Sequence, residues 1–455
     1  MLYSLATNRF VRNAGKHSLL YGLLKMMVKA AFYVFYRNVV VTGREKVPED
    51  GPLIFAANHQ NALMDPLAVI VTTDRQPVFL ARSDIFKNPV KAKILRFLRI
   101  MPVYRISDGI ETLQENREIF SSMEEILKMG GSIGIMPEGT HGKMKRLRPL
   151  KKGVFRIALE SEKGIKNLNV RIVPVGIDFS NHYLFREDIS VSFGNPLQVS
   201  DYIPLYEENP AKAIARMRDD LSEELSSLIV NIRNRKLYDR YELMLNIAVK
   251  TTVRSKKKKI SSRIKFETER RIAQIINESE ADGLPWFKEL SELTGRLRSQ
   301  LDESGFTPEA LEKSKSMTLT TLRFLGYLLS FPFFAAGVAA HIIPLLIIDL
   351  SLRKITDPQF ISSYKFVLGV FLVPLNYLLL AAVLSHFLSP VVVVSMVLFF
   401  FLAGLFAAEY KKRFSVFISG LRFLLKKRRR TEDVSAMQEM YGRVLILLRP
   451  LLEKL

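Results

Sequence analysis

Two hydrophobic patterns divide the chain. From about Arg37 to Val199, short runs of β-branched and apolar residues alternate with segments whose apolar positions recur at helical spacing. The runs Val39 to Val41, Leu53 to Ala57, Val78 to Leu80, Ser132 to Met136, Arg171 to Val175 and Ile189 to Phe193 predict strands. One helix is well delimited. Asp108 and Glu111 have capping-box spacing, Ile110, Leu113, Phe120, Met123 and Leu127 share a face, and Gly130-Gly131 provides the stop. Alternation of this kind predicts an α/β domain over residues 39–200.

Beyond it the pattern changes twice. Residues 201–317 are charged and helical, with Arg254 and Lys256 to Lys259 forming a basic run. Phe324 to Ile348 and Phe366 to Ala408 then contain no Asp, Glu, Lys or Arg. About 20 apolar residues span a bilayer core, so the second stretch holds two passes, with Ser385 to Pro390 as their tip. Arg353, Lys354 and Lys365 precede it and Lys411, Lys412, Arg413 and Lys426 to Arg430 follow it, so a hairpin puts both flanks inside. A single crossing by the first stretch would put Arg323 opposite Arg353 and Lys354. Its Pro332, Gly337 and Pro344 therefore predict a re-entrant or broken element. Membrane-embedded helices are expected over 318–410, followed by a basic amphipathic tail over 411–455. Residues 1–38 interleave apolar and aromatic residues with Lys16, Lys25, Lys29 and Arg37 and contain no acid. They suit an interfacial amphipathic anchor, the alternative being a helix packed on the domain.

Charge names the partners. The chain has 455 residues, 67 Lys and Arg against 45 Asp and Glu, and a net charge of +22, which implies a polyanion. Nucleic acid fits poorly, because Lys256 to Lys259 is a lone cluster and no nucleic-acid fold signature accompanies it. Anionic membrane lipid fits better, since Lys411 to Arg430 contains no acid and directly follows an apolar stretch. Absence of Cys excludes disulfides, thiolate metal sites and a cysteine nucleophile. With no His-Glu-x-x-His either, neither a metal site nor a cofactor is expected.

Four stretches carry candidate chemistry. Asn58-His59-Gln60-Asn61-Ala62-Leu63-Met64-Asp65-Pro66 follows the second strand. Asp65 fits an N-cap and Pro66 the first helical position, so His59 leaves a strand end with a carboxylate on the same turn, as a general base needs. Ile100 to Arg105 is a strand-like segment ending in an arginine able to hold phosphate. Pro137-Glu138-Gly139-Thr140-His141-Gly142-Lys143 breaks a buried strand and enters a cationic arm with Lys145, Arg146, Arg148, Lys151 and Lys152. Ile172-Val173-Pro174-Val175-Gly176 reads as a buried strand.

In this order and at these separations, the stretches resemble the glycerophosphate acyltransferase superfamily. The resemblance covers residues 40 to 200. It implies an α/β acyltransferase domain, a mixed sheet flanked by helices, followed here by the helical and transmembrane regions. It makes His59 the general base, Asp65 its orienting partner, Arg105 an acceptor-phosphate ligand, and Glu138 and Gly139 part of the acceptor pocket. Thr140, Lys143 and Arg146 are taken as substrate-binding beside them. The implied reaction moves an acyl group from acyl-CoA or acyl carrier protein, as co-substrate, to a hydroxyl of a glycerophosphate or lysophospholipid in phospholipid synthesis. The expected enzyme is an integral membrane protein with its catalytic domain on the cytoplasmic face.

Three departures stand out. His59 and Asp65 are separated by five residues where four is common, a spacing that resembles fungal glycerol-3-phosphate and dihydroxyacetone-phosphate acyltransferases. Met136 replaces the motif's Phe, and His141-Gly142 replaces its Arg-Ser. Arg105, Lys143, Lys145 and Arg146 are the candidates for the missing charge, and His141 receives no role. A lipid-binding scaffold that keeps the fold without catalysis is the alternative from another class. Gly130-Gly131-Ser132-Ile133-Gly134 matches a serine-hydrolase pattern in the wrong context, with a helix before the serine and a strand after it.

Overall fold

The computed structural model describes residues 19–103, 112–165, 167–255, 260–311, 317–428 and 432–455. Arg105, the Asp108 to Glu111 cap and Lys256 to Lys259 lie outside them. The chain forms two compact units, Met1–Asn231 and Ile232–Leu455.

The first unit is built on one eight-stranded sheet. Its strands are β1 (Asn38–Thr42), β2 (Leu53–Ala57), β3 (Val78–Arg82), β4 (Ile100–Val103), β5 (Ser132–Ile135), β6 (Arg171–Phe179), β7 (Asp188–Phe193) and β8 (Leu197–Gln198). Spatial order is β1-β7-β6-β2-β5-β3-β4, with β8 on β6. Only the β6–β7 and β6–β8 pairs are antiparallel, so the sheet is mixed, as expected. β2 lies between β5 and β6, parallel to both and wholly buried, which explains its uninterrupted apolar run.

Helices α1 (Leu19–Phe35), α2 (Met64–Thr72), α3 (Pro89–Phe97), α4 (Thr112–Lys128), α5 (Gly153–Gly164), α6 (Ile203–Glu208) and α7 (Pro210–Leu228) complete the unit. Met123 and Leu127 of α4, Phe155 and Leu159 of α5, and Leu221 and Leu225 of α7 form one core with Ile54 and Ile172 of the sheet. The next residue along each strand points the other way. Phe55, Phe179 and Phe193 thus lie on the face where α2 packs against β6 and β7. Phe32 and Tyr36 at the end of α1 are buried there, whereas Leu19, Leu20, Leu23 and Met26 on the same helix are exposed. Helix α1 thus has one face packed on the domain and another that is apolar and open.

The second unit is helical: α8 (Tyr238–Ser255), α9 (Ser262–Ala281), α10 (Pro285–Ser304), α11 (Pro308–Leu311), α12 (Met317–Ala340), α13 (Ile342–Leu352), α14 (Ile361–Leu384), α15 (Pro390–Arg428), α16 (Glu432–Leu447) and α17 (Arg449–Leu452). Among the described residues, three segments, Thr318–Ala340, Pro358–Leu384 and Pro390–Leu425, are long and apolar enough to cross a membrane. Their large side chains face outward, as Leu329, Phe371 and Val391 do. α14 and α15 meet at residues 385–389, the expected tip.

The first apolar stretch is broken, as expected, at His341, between Gly337 and Pro344, while Pro332 sits inside α12. Polar side chains absorb the break. His341 Nδ1 lies 2.7 Å from Gly337 O, His341 Nε2 lies 2.7 Å from Tyr377 Oη, and Asn376 Nδ2 donates to Ala340 O at 2.9 Å. In an apolar medium a freed carbonyl needs such a partner. Gly337 also lets α12 and α15 touch, since any Cβ there would overlap the Ala403 carbonyl.

Candidate active site

His59 stands in the loop that follows β2, beside the turn that follows β5. Carboxyl ends of adjacent parallel strands are where α/β sheets place their ligands. Asn58 fixes the start of this loop by imitating another residue's backbone. Its Nδ2 donates to Ile177 O at 3.0 Å and its Oδ1 accepts from Ile177 N at 2.7 Å, extending the β2–β6 pairing by one side chain.

The five-residue gap closes in the loop. Ala62 adopts φ 40, a left-handed conformation, and Met64 N donates to Asn61 O at 2.8 Å, turning the chain back under His59. Asp65 is not the N-cap expected from the sequence. Helix α2 begins at Met64, one residue earlier, so Asp65 lies in its first turn. The carboxylate instead organises the loop and the imidazole. Its Oδ2 accepts from Gln60 N at 2.8 Å and Asn61 N at 2.7 Å, and lies 2.8 Å from His59 Nδ1. Asp65 is fully buried, while the His59 side chain keeps 17% exposure. An oxygen that already accepts two backbone N–H groups requires Nδ1 to donate. Nε2 then carries the lone pair and is left to take a proton.

Glu138, Gly139 and Thr140 follow β5 in a turn closed by Gly139 N to Met136 O at 3.0 Å, with Gly139 at φ +71. Glu138 has both oxygens engaged within the protein. Oε1 accepts from His59 N at 2.8 Å, and Oε2 accepts from Arg148 Nε at 2.6 Å and Arg148 N at 3.2 Å. Burial raises its pKa and Arg148 opposes that rise. Arg148 also donates to His59 O at 2.7 Å, to Thr140 Oγ1 at 3.3 Å and to Thr140 O. Sequence reasoning placed Arg148 only within a cationic run and assigned it no role.

Lys143 is exposed and Arg146 half-buried, and neither pairs with a carboxylate among the described residues. The His141 ring stands edge-on to His59 with centroids 5.3 Å apart. On the other side of the loop, His182 is buried. Its Nε2 meets Gln60 Oε1 at 3.1 Å and its carbonyl accepts from Asn61 Nδ2 at 3.0 Å. Burial, reinforced by Lys145, lowers the His182 pKa from 6.5 to about 4. A folded-state pKa below the unfolded one means that the unfolded chain takes the proton first. His182 therefore costs no stability above about pH 6.5 and progressively more as pH falls towards 4, reaching about 3 kcal/mol. Thermal unfolding at pH 7 and pH 5 in detergent should show this loss, and His182→Gln should reduce it. An equal drop in both proteins would remove His182 as its cause.

No group of three or more His, Asp or Glu able to hold a metal occurs among the described residues. The hydrolase alternative does not regain support. Ser132 opens β5 and is buried, with α4 before it, so it is no nucleophile on a strand-to-helix elbow.

The family model described as "Acyltransferase" matches residues 38–178, a stretch that contains His59, Asp65, Glu138 and Arg148. Residues 38–178 belong to the acyltransferase family. The "1-acyl-sn-glycerol-3-phosphate acyltransferase" of Borreliella burgdorferi is 27% identical over 207 residues, 45% of this chain and 79% of that protein. "Glycerol-3-phosphate O-acyltransferase 2" of Saccharomyces cerevisiae is 24% identical over 366 residues, 74% of this chain and 47% of its own. The match thus covers about half of the yeast relative. A crystal structure of the 1-acyl-sn-glycerophosphate (LPA) acyltransferase, PlsC, from Thermotoga maritima is similar over 45% of this chain and 79% of that one, at 23% identity and a TM-score of 0.34. With these relatives and the order of its motifs, the acyltransferase domain falls in the glycerophosphate acyltransferase superfamily.

Proposed function

We propose that this acyltransferase moves a fatty acyl group from an acyl thioester, acyl-CoA or acyl carrier protein, to a hydroxyl of glycerol 3-phosphate. The observation that carries this reading is the His59 Nδ1 to Asp65 Oδ2 contact of 2.8 Å at the end of β2, which leaves Nε2 as the base. Nε2 removes the hydroxyl proton as the hydroxyl oxygen attacks the thioester carbonyl. The C–S bond then breaks, and the proton passes from the imidazolium to the leaving thiolate. Asp65 stabilises that imidazolium. No covalent acyl-enzyme is required, in keeping with the absence of Cys.

Three features support a phosphorylated acceptor. Lys143 and Arg146 follow the Gly139-Thr140 turn without carboxylate partners among the described residues, Arg105 follows β4 by two residues in sequence, and relatives of both matched kinds are named for glycerophosphate acceptors. Glycerol 3-phosphate is favoured over its 1-acyl derivative because the yeast glycerol-3-phosphate relative aligns with 74% of this chain, well past the catalytic domain, against 45% for the bacterial one. The three apolar segments support a protein integral to a membrane. Basic residues Arg353 and Lys354, before the second segment, and Lys411 to Arg413, where the uncharged run of the third has ended, favour the cytoplasmic face for the catalytic domain. The exposed apolar face of α1, with Lys25 and Lys29, would lie in an anionic lipid surface.

The deciding experiment is an acceptor panel with labelled acyl-CoA and acyl carrier protein in vesicles. Glycerol 3-phosphate should be the best acceptor and uncharged glycerol a poor one. Lys143→Ala combined with Arg146→Ala should raise the acceptor KM roughly tenfold, as expected when charge-assisted bonds to phosphate are lost. Equal use of uncharged acceptors, or an unchanged KM, would refute the phosphate assignment.

A further inference from the structure

The motif's Arg-Ser is replaced here by His141-Gly142, yet a guanidinium lies against the same turn. It arrives from further along the chain. Arg148 contacts Glu138 Oε2, the His59 carbonyl and both oxygens of Thr140. The segment carrying it is tied down on both sides, by Leu147 N to Asn231 Oδ1 at 3.0 Å and by Lys151 N to Pro137 O at 2.7 Å. Gly142 admits it: a Cβ there would stand 2.8 Å from Arg148 Nη1 and 3.2 Å from Cζ. The two departures from the motif, a missing arginine and a glycine in place of serine, are therefore complementary.

The consequence for His59 is direct. Its peptide is held at both polar ends, the N–H by Glu138 Oε1 and the C=O by Arg148 Nη2, and the two holders are themselves paired at 2.6 Å. We infer that Arg148 is the positioning residue for His59, held against the turn whose residue 141 carries no arginine here, and that Gly142 leaves room for its guanidinium. The inference rests on His59 being the base. Arg148 acts through the backbone of His59 and engages neither acceptor nor donor.

The test uses the full-length protein in vesicles with acyl-CoA and glycerol 3-phosphate. Arg148→Ala should lower kcat roughly 30- to 100-fold, the scale of a misplacement of about 1 Å, while the acceptor KM stays within about twofold. Arg148→Lys should recover little, because one ammonium cannot span Glu138, His59 O and Thr140 at once. Gly142→Val should mimic Arg148→Ala. Since Arg148→Ala strands a buried carboxylate, its thermal stability is compared with that of Glu138→Gln/Arg148→Ala, in which no charge is stranded. Stability should recover in the double variant and kcat should not. Full recovery of kcat would reduce Arg148 to a structural counter-ion, and a raised acceptor KM with unchanged kcat would make it a phosphate ligand; either overturns the inference. A readout without substrate separates this from failure of the acyl-transfer reading. Carbethoxylation of His59 by diethyl pyrocarbonate, followed across pH by mass spectrometry, should change its profile in Arg148→Ala and Gly142→Val. Profiles identical to wild type would overturn the inference, even in a protein that transfers no acyl group.

Discussion

His59→Ala should reduce acyl transfer by about 10³- to 10⁴-fold without unfolding the protein. The activity loss follows from chemistry: without Nε2 no group accepts the hydroxyl proton during attack or returns one to the thiolate. Retained folding follows from how the loop is held. His59 is anchored through its N–H by Glu138 and through its C=O by Arg148, and an alanine keeps both groups. The side chain that is lost is partly exposed, and its Asp65 partner still accepts from Gln60 N and Asn61 N. The melting temperature should therefore change little. Turnover equal to wild type in vesicles with acyl-CoA and glycerol 3-phosphate would refute the general base and leave the lipid-binding scaffold as the better description.

The contact between His59 and Asp65 was legible in the sequence because it is local. A histidine after an apolar run and an Asp-Pro six residues on can meet within one turn, and they do. The central strands were legible for the same reason, since full burial forces continuous apolar runs such as Leu53 to Ala57. Less local features were not. Nothing in Ile189 to Phe193 says that it runs antiparallel to β6, because direction is set by the connection and the packing partner. Asp65 read as an N-cap because Asp-Pro is a common helix start, but the two backbone N–H groups of Gln60 and Asn61 claim its carboxylate and the helix starts ahead of it. Arg148 looked like one more solvated cation, because its carboxylate partner lies ten residues upstream across a turn. The sequence signal was Gly142, a residue with no side chain where the motif has one. In the apolar region Pro332, Gly337 and Pro344 suggested a break; Pro332 sits inside an intact helix, and the break falls between the other two at His341, with Tyr377 and Asn376 to satisfy the backbone.

Asp65→Asn should cost about 10³- to 10⁴-fold in kcat, close to the loss from removing His59 itself, and Asp65→Ala should cost stability as well. The two substitutions separate the structural and electrostatic roles of one carboxylate. Oδ2 receives Gln60 N, Asn61 N and His59 Nδ1, so an asparagine must keep its oxygen there; turning the amide would set an NH₂ group against two backbone donors. Loop geometry then survives, but the negative charge that stabilises the imidazolium is gone. Loss of the orienting carboxylate in a Ser-His-Asp triad has an effect of about 10⁴ for the same reason. The alanine removes the acceptor altogether and strands two buried N–H groups, each worth roughly 1–3 kcal/mol, so its melting temperature should fall clearly below that of the asparagine variant. Because Asp65 acts through His59, His59→Ala/Asp65→Asn should be no slower than His59→Ala alone. Multiplying rate losses in the double variant would show that Asp65 contributes to catalysis by a route that does not pass through the imidazole.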